Sequence, residues 1–305
     1  MATRRDILKK MLVAAGAAGA GSVFARPVEP TEGPPEGYRL VWQDEFNSNG
    51  RPNPANWTYE HGFVRNEEFQ WYQPENAFCA AGKLIIESRR ETKPNPLYRE
   101  GSSDWHTSRR TAEYTSASLT TRGLHSWQYG YFVMRGRIDI RLGIWPAWWT
   151  LGISKPWPAC GEIDIMEFYA GHINANVAWE SADGSPHWVT TFKPIAGFQD
   201  PFWPHKFHLW AMEWTPDLIH LFLDGALLTS VDLSQTLDAQ HDGFNPFHQP
   251  AYMILNQAIG GQSGGNPEHT HFPSRFEVDY VRVYQQPGHT SQAARPEFDP
   301  VRTSD

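Results

Sequence analysis

From residue 37 to residue 286 the chain is built from short runs in which apolar and polar side chains alternate, each closed by turn-forming residues. YRLVWQ, GKLIIESR, SASLTT, YGYFVMRGRI, GEIDIMEF, HKFHLWAMEW, LIHLFLDG, AYMILNQAI and FEVDYVRVYQ are the clearest of them. A period of two is that of a strand with one buried face, and long apolar segments of helical period are few. The fold class is therefore all-β, a sandwich or barrel. Leu223-Asp224-Gly225-Ala226 between LIHLF and LLTSV predicts a tight hairpin. In FEVDYVRVY strict alternation puts Val278, Tyr280 and Arg282 on one face and Glu277, Asp279, Val281 and Val283 on the other. No repeat and no break in composition divides the region, so residues 37–286 are expected to form one domain. The Pro-rich segment 26–36 predicts a linker, and the polar segment 287–305 a flexible tail.

The 305 residues include 14 Trp, 17 Phe and 11 Tyr, ample for a full-sized core. A net charge of −8 argues against nucleic acid or an anionic membrane as partner, since both reward a basic surface. Residues 1–25 stand apart. Arg4 and Arg5 precede a weakly apolar Ala/Gly run that is too short to span a bilayer and ends in Val23-Phe24-Ala25, small at both cleavage-determining positions. This resembles a twin-arginine export signal; an ordinary secretory signal and an uncleaved anchor are the other readings. Cys79 and Cys160 are too few for a disulfide scaffold or a zinc site and read as packing residues. The histidines of HTHF and HLW lack a ligand-spacing partner set, and neither a Gly-x-Ser-x-Gly elbow nor a phosphate loop is present.

One run breaks the alternation in an informative way. In GEIDIMEF, Glu162 and Asp164 share a face, but Glu167 lies at an odd offset and would point into the face carrying Ile163 and Ile165. A β-bulge at Ile165-Met166 would return Glu167 to the side of Glu162. Three carboxylates would then line one face with Asp164 in the middle. Retaining glycoside hydrolysis needs such a set: a nucleophilic carboxylate and a protonated carboxylic acid about 5–5.5 Å apart, their pKa values driven in opposite directions. A solvated strand edge and a calcium site are the competing readings of three acids in six residues.

GEIDIMEF also resembles the Glu-x-Asp-x-x-Glu signature of glycoside hydrolase family 16, in the bulged form of its laminarinase-like branch. The likeness extends in order through VWQDEFN, NEEFQWY, YTSASLTTRG, YGYFVMRGRI, GIWPAWWTLG, WPACGEIDIME, AMEWTP, LFLDG, ILNQAIGG and VDYVRVYQ, about residues 37–286. It implies a β-jelly roll of two curved antiparallel sheets with a substrate cleft across the concave one. It further implies Glu162 as nucleophile, Asp164 as its helper and Glu167 as general acid/base. Trp145, Trp149 and Trp157 match tryptophans that stack on sugar rings, and Asn66 matches a polar cleft position. Trp42, Trp148 and Trp214 are expected in the core. No catalytic cofactor is implied, but a structural calcium ion is, held by Asp279 and the backbone near Glu45 and Gly82. The expected partner is a polysaccharide, with β-1,3- or β-1,3-1,4-glucan leading, and the expected state an exported monomer, free of the membrane after processing. Four positions depart from the laminarinase pattern: Ser118 replaces an arginine, Val133 a glutamate, Asn176 a threonine and Ala178 a histidine. They open the way to galactan-type substrates. A transglycosylase, or a binding protein on the same fold, is the remaining alternative.

Overall fold

A computed structural model describes residues 33–237, 243–288 and 291–292. The expected export signal, residues 26–32 of the linker and most of the tail lie outside the described residues. The strands form two sheets. The first contains β1 (Arg39–Asp44), β3 (Gln70–Tyr72), β4 (Ala77–Cys79), β5 (Leu84–Pro94), β6 (Thr111–Ser116), β9 (Gly130–Arg137), β14 (His208–Trp214), β15 (Leu218–Leu223), β16 (Ala226–Asp232) and β18 (Ser274–Gln285). The second contains β2 (Thr58–Tyr59), β7 (Ser118–Thr120), β8 (Ser126–Trp127), β10 (Ile144–Gly152), β11 (Glu162–Tyr169), β12 (His172–Glu180), β13 (Pro186–Pro194), β17 (Ala251–Ile259) and β19 (Ser291–Gln292). Helix among the described residues is confined to single turns.

The first sheet runs β16-β15-β14-β9-β18-β5-β6-β3, with β1 joining β18 and β4 joining β5. The second runs β13-β12-β11-β10-β17-β7-β2, with β8 on β17. All pairings are antiparallel except β3 with β6. The predicted hairpin joins β15 to β16, with Asp224 and Gly225 both at positive φ as a tight turn requires. Of the expected tail, Ser291–Gln292 pairs with β8 instead of fraying.

Between the sheets lies one aromatic-rich core. Trp127 and Trp148 of the second sheet and Trp210, Trp214, Phe132 and Phe276 of the first are almost wholly buried there. Each such ring withdraws roughly 150–250 Å² from water. Trp42 packs half-buried at the margin, edge-on to Trp57 and Trp127.

β18 corrects the strict-alternation reading. Its register shifts between Val278 and Tyr280, which makes Asp279 an extra residue. Val278 therefore sides with Phe276, Val281 and Val283 in the core, while Tyr280 and Arg282 share the outer face, guanidinium over ring. Burying the valine run outweighs a regular ladder at one position.

Candidate active site

The second sheet places its chemistry on the face turned away from the core. Alternation sends Trp148 of β10, Met253 and Leu255 of β17, and Ile173, Ala175 and Val177 of β12 inward. It sends Trp145, Ala147, Trp149 and Leu151, then Tyr252, Ile254 and Ala258, then Asn174, Asn176 and Ala178 outward. β11 runs between β10 and β12 and carries the acids.

The predicted bulge is present. Against β10, Asp164 lies opposite Trp149 and Met166 opposite Trp148, so Ile165 has no counterpart. Against β12, Asp164 faces Asn176 and Glu167 faces Asn174. Ile163, Ile165, Met166 and Phe168 all enter the core, and the three acids share the outer face. The turn that launches β11 depends on Gly161, whose φ of +76° suits glycine, and whose missing side chain leaves room for Pro246 and Phe247.

Each carboxylate in the row is held by an N–H donor. Trp157 Nε1 donates to Glu162 Oε2 at 2.7 Å, and Trp145 Nε1 donates to Glu167 Oε1 at 2.7 Å. Asn176 Nδ2 donates to Asp164 Oδ2 and to Glu167 Oε2, both at 2.9 Å. Glu162, Asp164 and Glu167 are only 5%, 2% and 3% exposed. Buried carboxyl groups hydrogen-bonded this way are fixed in direction, which suits attack and proton transfer on a bound bond.

The tryptophans named from the sequence do more than offer faces. Trp145 is 2% exposed and packs on Tyr169, and its indole N–H is spent on Glu167. Trp149 donates to Asn256 Oδ1 at 2.8 Å, Asn256 Nδ2 donates to Tyr72 OH at 2.9 Å, and Tyr72 OH donates to Glu68 Oε2 at 3.1 Å. Gln70 Nε2 and Asn66 Nδ2 also donate to Glu68. Burial raises the Glu68 carboxyl pKa above the ordinary range, more than Arg65 and these donors lower it. The Arg65 guanidinium lies 5.0 Å over the Trp149 ring and is paired with Glu60. Ser118, in the place of an arginine, donates to the same Glu60 at 2.5 Å. A cation is thus supplied to the site from the loop before β3 instead of from β7. Asn66 sits at a φ of +56°, and its carbonyl accepts from Gln262 N, which ties this loop to the Gly261–Gly264 turn.

Other sequence-derived positions fall differently. Val133 lies buried on β9 of the first sheet, remote from the row, while Ala178 lies opposite Glu162. Asp279 accepts from Arg135 at 2.6 Å, and Glu45 is held by both Nε and Nη2 of Arg282. Both side-chain carboxylates are thus paired with guanidinium groups. Among the described residues, no group of three or more His, Cys, Asp and Glu side chains is placed to hold a metal ion. A cavity of about 450 Å³ lined by Asp44, Phe46, Asn56 and Cys79 shares no residue with the row, and its Asp44 carboxylate is taken up by Phe46 N, Asn56 and Trp57. Sequence reasoning missed Arg65, Glu68, Tyr72 and Asn256. Their polar types inside otherwise apolar, aromatic runs were the available signal.

A two-sheet β-sandwich with buried carboxyl groups in a row, each steadied by an indole or amide, defines a class of enzyme that cleaves glycosidic bonds. The family model for glycosyl hydrolases family 16 matches residues 90–282, and the chain belongs to that family. It is a glycoside hydrolase. The chain is similar to a β-glucanase of Rhodothermus marinus, 38% identical over 270 residues that cover 81% of this chain and 85% of the relative. Among solved structures it resembles one reported with endo-acting O-glycanases that initiate mucin breakdown, from human gut microbiota. That likeness has a TM-score of 0.77 and 33% identity, over 89% of this chain and 99% of the other. It also resembles the catalytic domain of an endo-1,3-β-glucanase (laminarinase) from Thermotoga petrophila RKU-1, with a TM-score of 0.68 and 31% identity over 82% of this chain and 99% of that one.

Proposed function

We propose that the protein is a retaining endo-β-glycanase that hydrolyses β-1,3- or mixed β-1,3-1,4-glucan by double displacement. The observation that carries this reading is the bulged row Glu162–Asp164–Glu167 on one face, with a separate donor for each outer glutamate. Glu162 attacks the anomeric carbon while Glu167 protonates the departing oxygen. Glu167 then takes a proton from water, which releases the glycosyl-enzyme with net retention. Asp164 keeps the two glutamates apart and orders the row. Glu162→Gln should abolish turnover while polysaccharide binding persists; wild-type-like activity in that variant would sink the assignment. Glu167→Ala should lose most activity on poor leaving groups and recover part of it with azide.

A second reading, cleavage of β-galactosides in galactans or O-glycans, has its own support. The O-glycanase structure matches more of this chain than the laminarinase does, and Ser118 and Ala178 remove an arginine and a histidine from the outer face. Product sizing on laminarin, lichenan, agarose, porphyran, carrageenan and mucin O-glycans separates the two. Oligosaccharides from laminarin or lichenan alone support the first, and products only from the galactose-containing substrates overturn it. We further infer that the enzyme works outside the cytoplasm as a monomer, exported through Arg4-Arg5. Among the described residues no helix is long and apolar enough to cross a membrane. Lysine at both arginine positions should leave the protein in the cytoplasmic fraction.

A further inference from the structure

Asn176 has no place in the two-carboxylate scheme, yet it bonds two of the three acids of the row. It lies on β12 opposite Asp164 and is 2% exposed. Its two Nδ2 hydrogens serve two acceptors, Asp164 Oδ2 and Glu167 Oε2, while its Oδ1 has no hydrogen-bond partner among the described residues. Both neighbours are acceptors, so the amide must turn its NH₂ end to them, and nothing else on the protein anchors it. A hydroxyl in this place would have a single hydrogen and could serve one carboxylate, not both.

We propose that Asn176 is a positioning residue that binds Asp164 and Glu167 into one unit and stabilises the carboxylate that Glu167 becomes when its proton has left. The proposal rests on the acid/base reading of Glu167. The indole N–H of Trp145 and the amide N–H of Asn176 can only donate, so each oxygen of Glu167 accepts a hydrogen bond from the protein. Once the proton has left, the Asn176 N–H stabilises the new carboxylate, so the group releases its proton more readily. The other ionisable groups facing Glu167 are few. Glu162, Asp164 and Tyr169 lie on its own strand, and β10 presents only Trp145 and Trp149. β12 adds His172 at its far end, bound through Nδ1 to Ala170 O, and β13 behind it presents Thr190 and Phe192. The amide thus serves two of the acids at once.

The test is the carboxyl titration of Glu167 in the full chain, followed by ¹³C NMR of glutamate-labelled protein and assigned by the signal lost in Glu167→Gln. Asn176→Ala should move that midpoint upward by about one pH unit, and Asn176→Thr by less, because a hydroxyl restores one donor. On laminarin and on agarose, whichever is cleaved, the basic limb of kcat/KM should move up in step. A titration and a basic limb that stay at the wild-type pH in both variants would overturn the proposal, even if activity fell, since that pattern is one of packing alone. If Asn176→Ala does not fold, Asn176→Thr decides by the same measurement. The two failures are distinguishable: an active Glu167→Gln removes the acid/base reading itself, whereas an inactive one with an unmoved titration removes only the role of Asn176.

Discussion

At the scale of single residues, the donors deserve as much weight as the acids. Trp145→Phe keeps an aromatic side chain but deletes the indole N–H that bonds Glu167 Oε1, and leaves a smaller ring in a buried place. Hydrogen bonds to charged groups are worth about 1.5–3 kcal/mol, so kcat should fall roughly ten- to a hundredfold, beside a lowered melting temperature from the lost packing. Steady-state kinetics beside a thermal melt checks this. The acids themselves were legible in the sequence, because the odd five-residue offset from Glu162 to Glu167 makes sense only with a bulge. The donors were legible only as types. That Trp157 serves Glu162 and Trp145 serves Glu167 depends on where a turn and a neighbouring strand bring each indole. Asn176 stood out as a departure from a pattern, but its two bonds arise from strand register, and no spacing within one strand encodes that.

Among the elements, β11 depends on one inserted residue. Deleting Ile165 would remove the extra residue and leave Glu162, Asp164 and Glu167 on the outer face by strict alternation, with Met166 and Phe168 still in the core. We expect the deletion variant to keep a cooperative melt, at a temperature lowered by the loss of the buried Ile165 side chain, and to retain part of its activity; loss of near-ultraviolet circular dichroism would refute this view of the strand. The hairpin at Asp224-Gly225 and the main runs of both sheets were readable because turn chemistry and alternation are local. β12 and β13 escaped notice. HINANVAWE puts asparagines where a two-sided apolar strand would carry valines, and PHWVTTFKP, half-buried or exposed along its length at the sheet edge, has no clean apolar alternation. The second bulge, at Asp279, left no sequence signal, since Val278 and Val281 look equally at home on either face until the core is assembled.

For the whole molecule, stability should depend on acid in a defined direction. Burial alone would raise the Asp139 carboxyl pKa, but hydrogen bonds from Arg141 outweigh it and hold the group below its ordinary value. Glu87 is likewise lowered by Arg89 and Arg275 against the effect of burial. A carboxyl group depressed in the folded state adds stability that is present above its unfolded pKa and is lost as pH falls through the folded one. The melting temperature should therefore drop on acidification below about pH 4, and Asp139→Asn should remove part of that slope. Calorimetry from neutral pH downward tests it; a slope unchanged in the variant would exclude Asp139 as a contributor.

The sandwich also closes without a covalent cross-link. Cys79 sits in the core between the sheets and Cys160 beneath the outer face beside Leu151, both as buried free thiols. Burial pushes the Cys79 thiol up to about 11 and the Cys160 thiol higher still. Only the thiolate reacts, so both are silent toward alkylating reagents while the native packing holds. The chain therefore carries two built-in reporters of opening: Cys79 becomes reactive when the layers part, and Cys160 when the floor under the carboxylate row lifts.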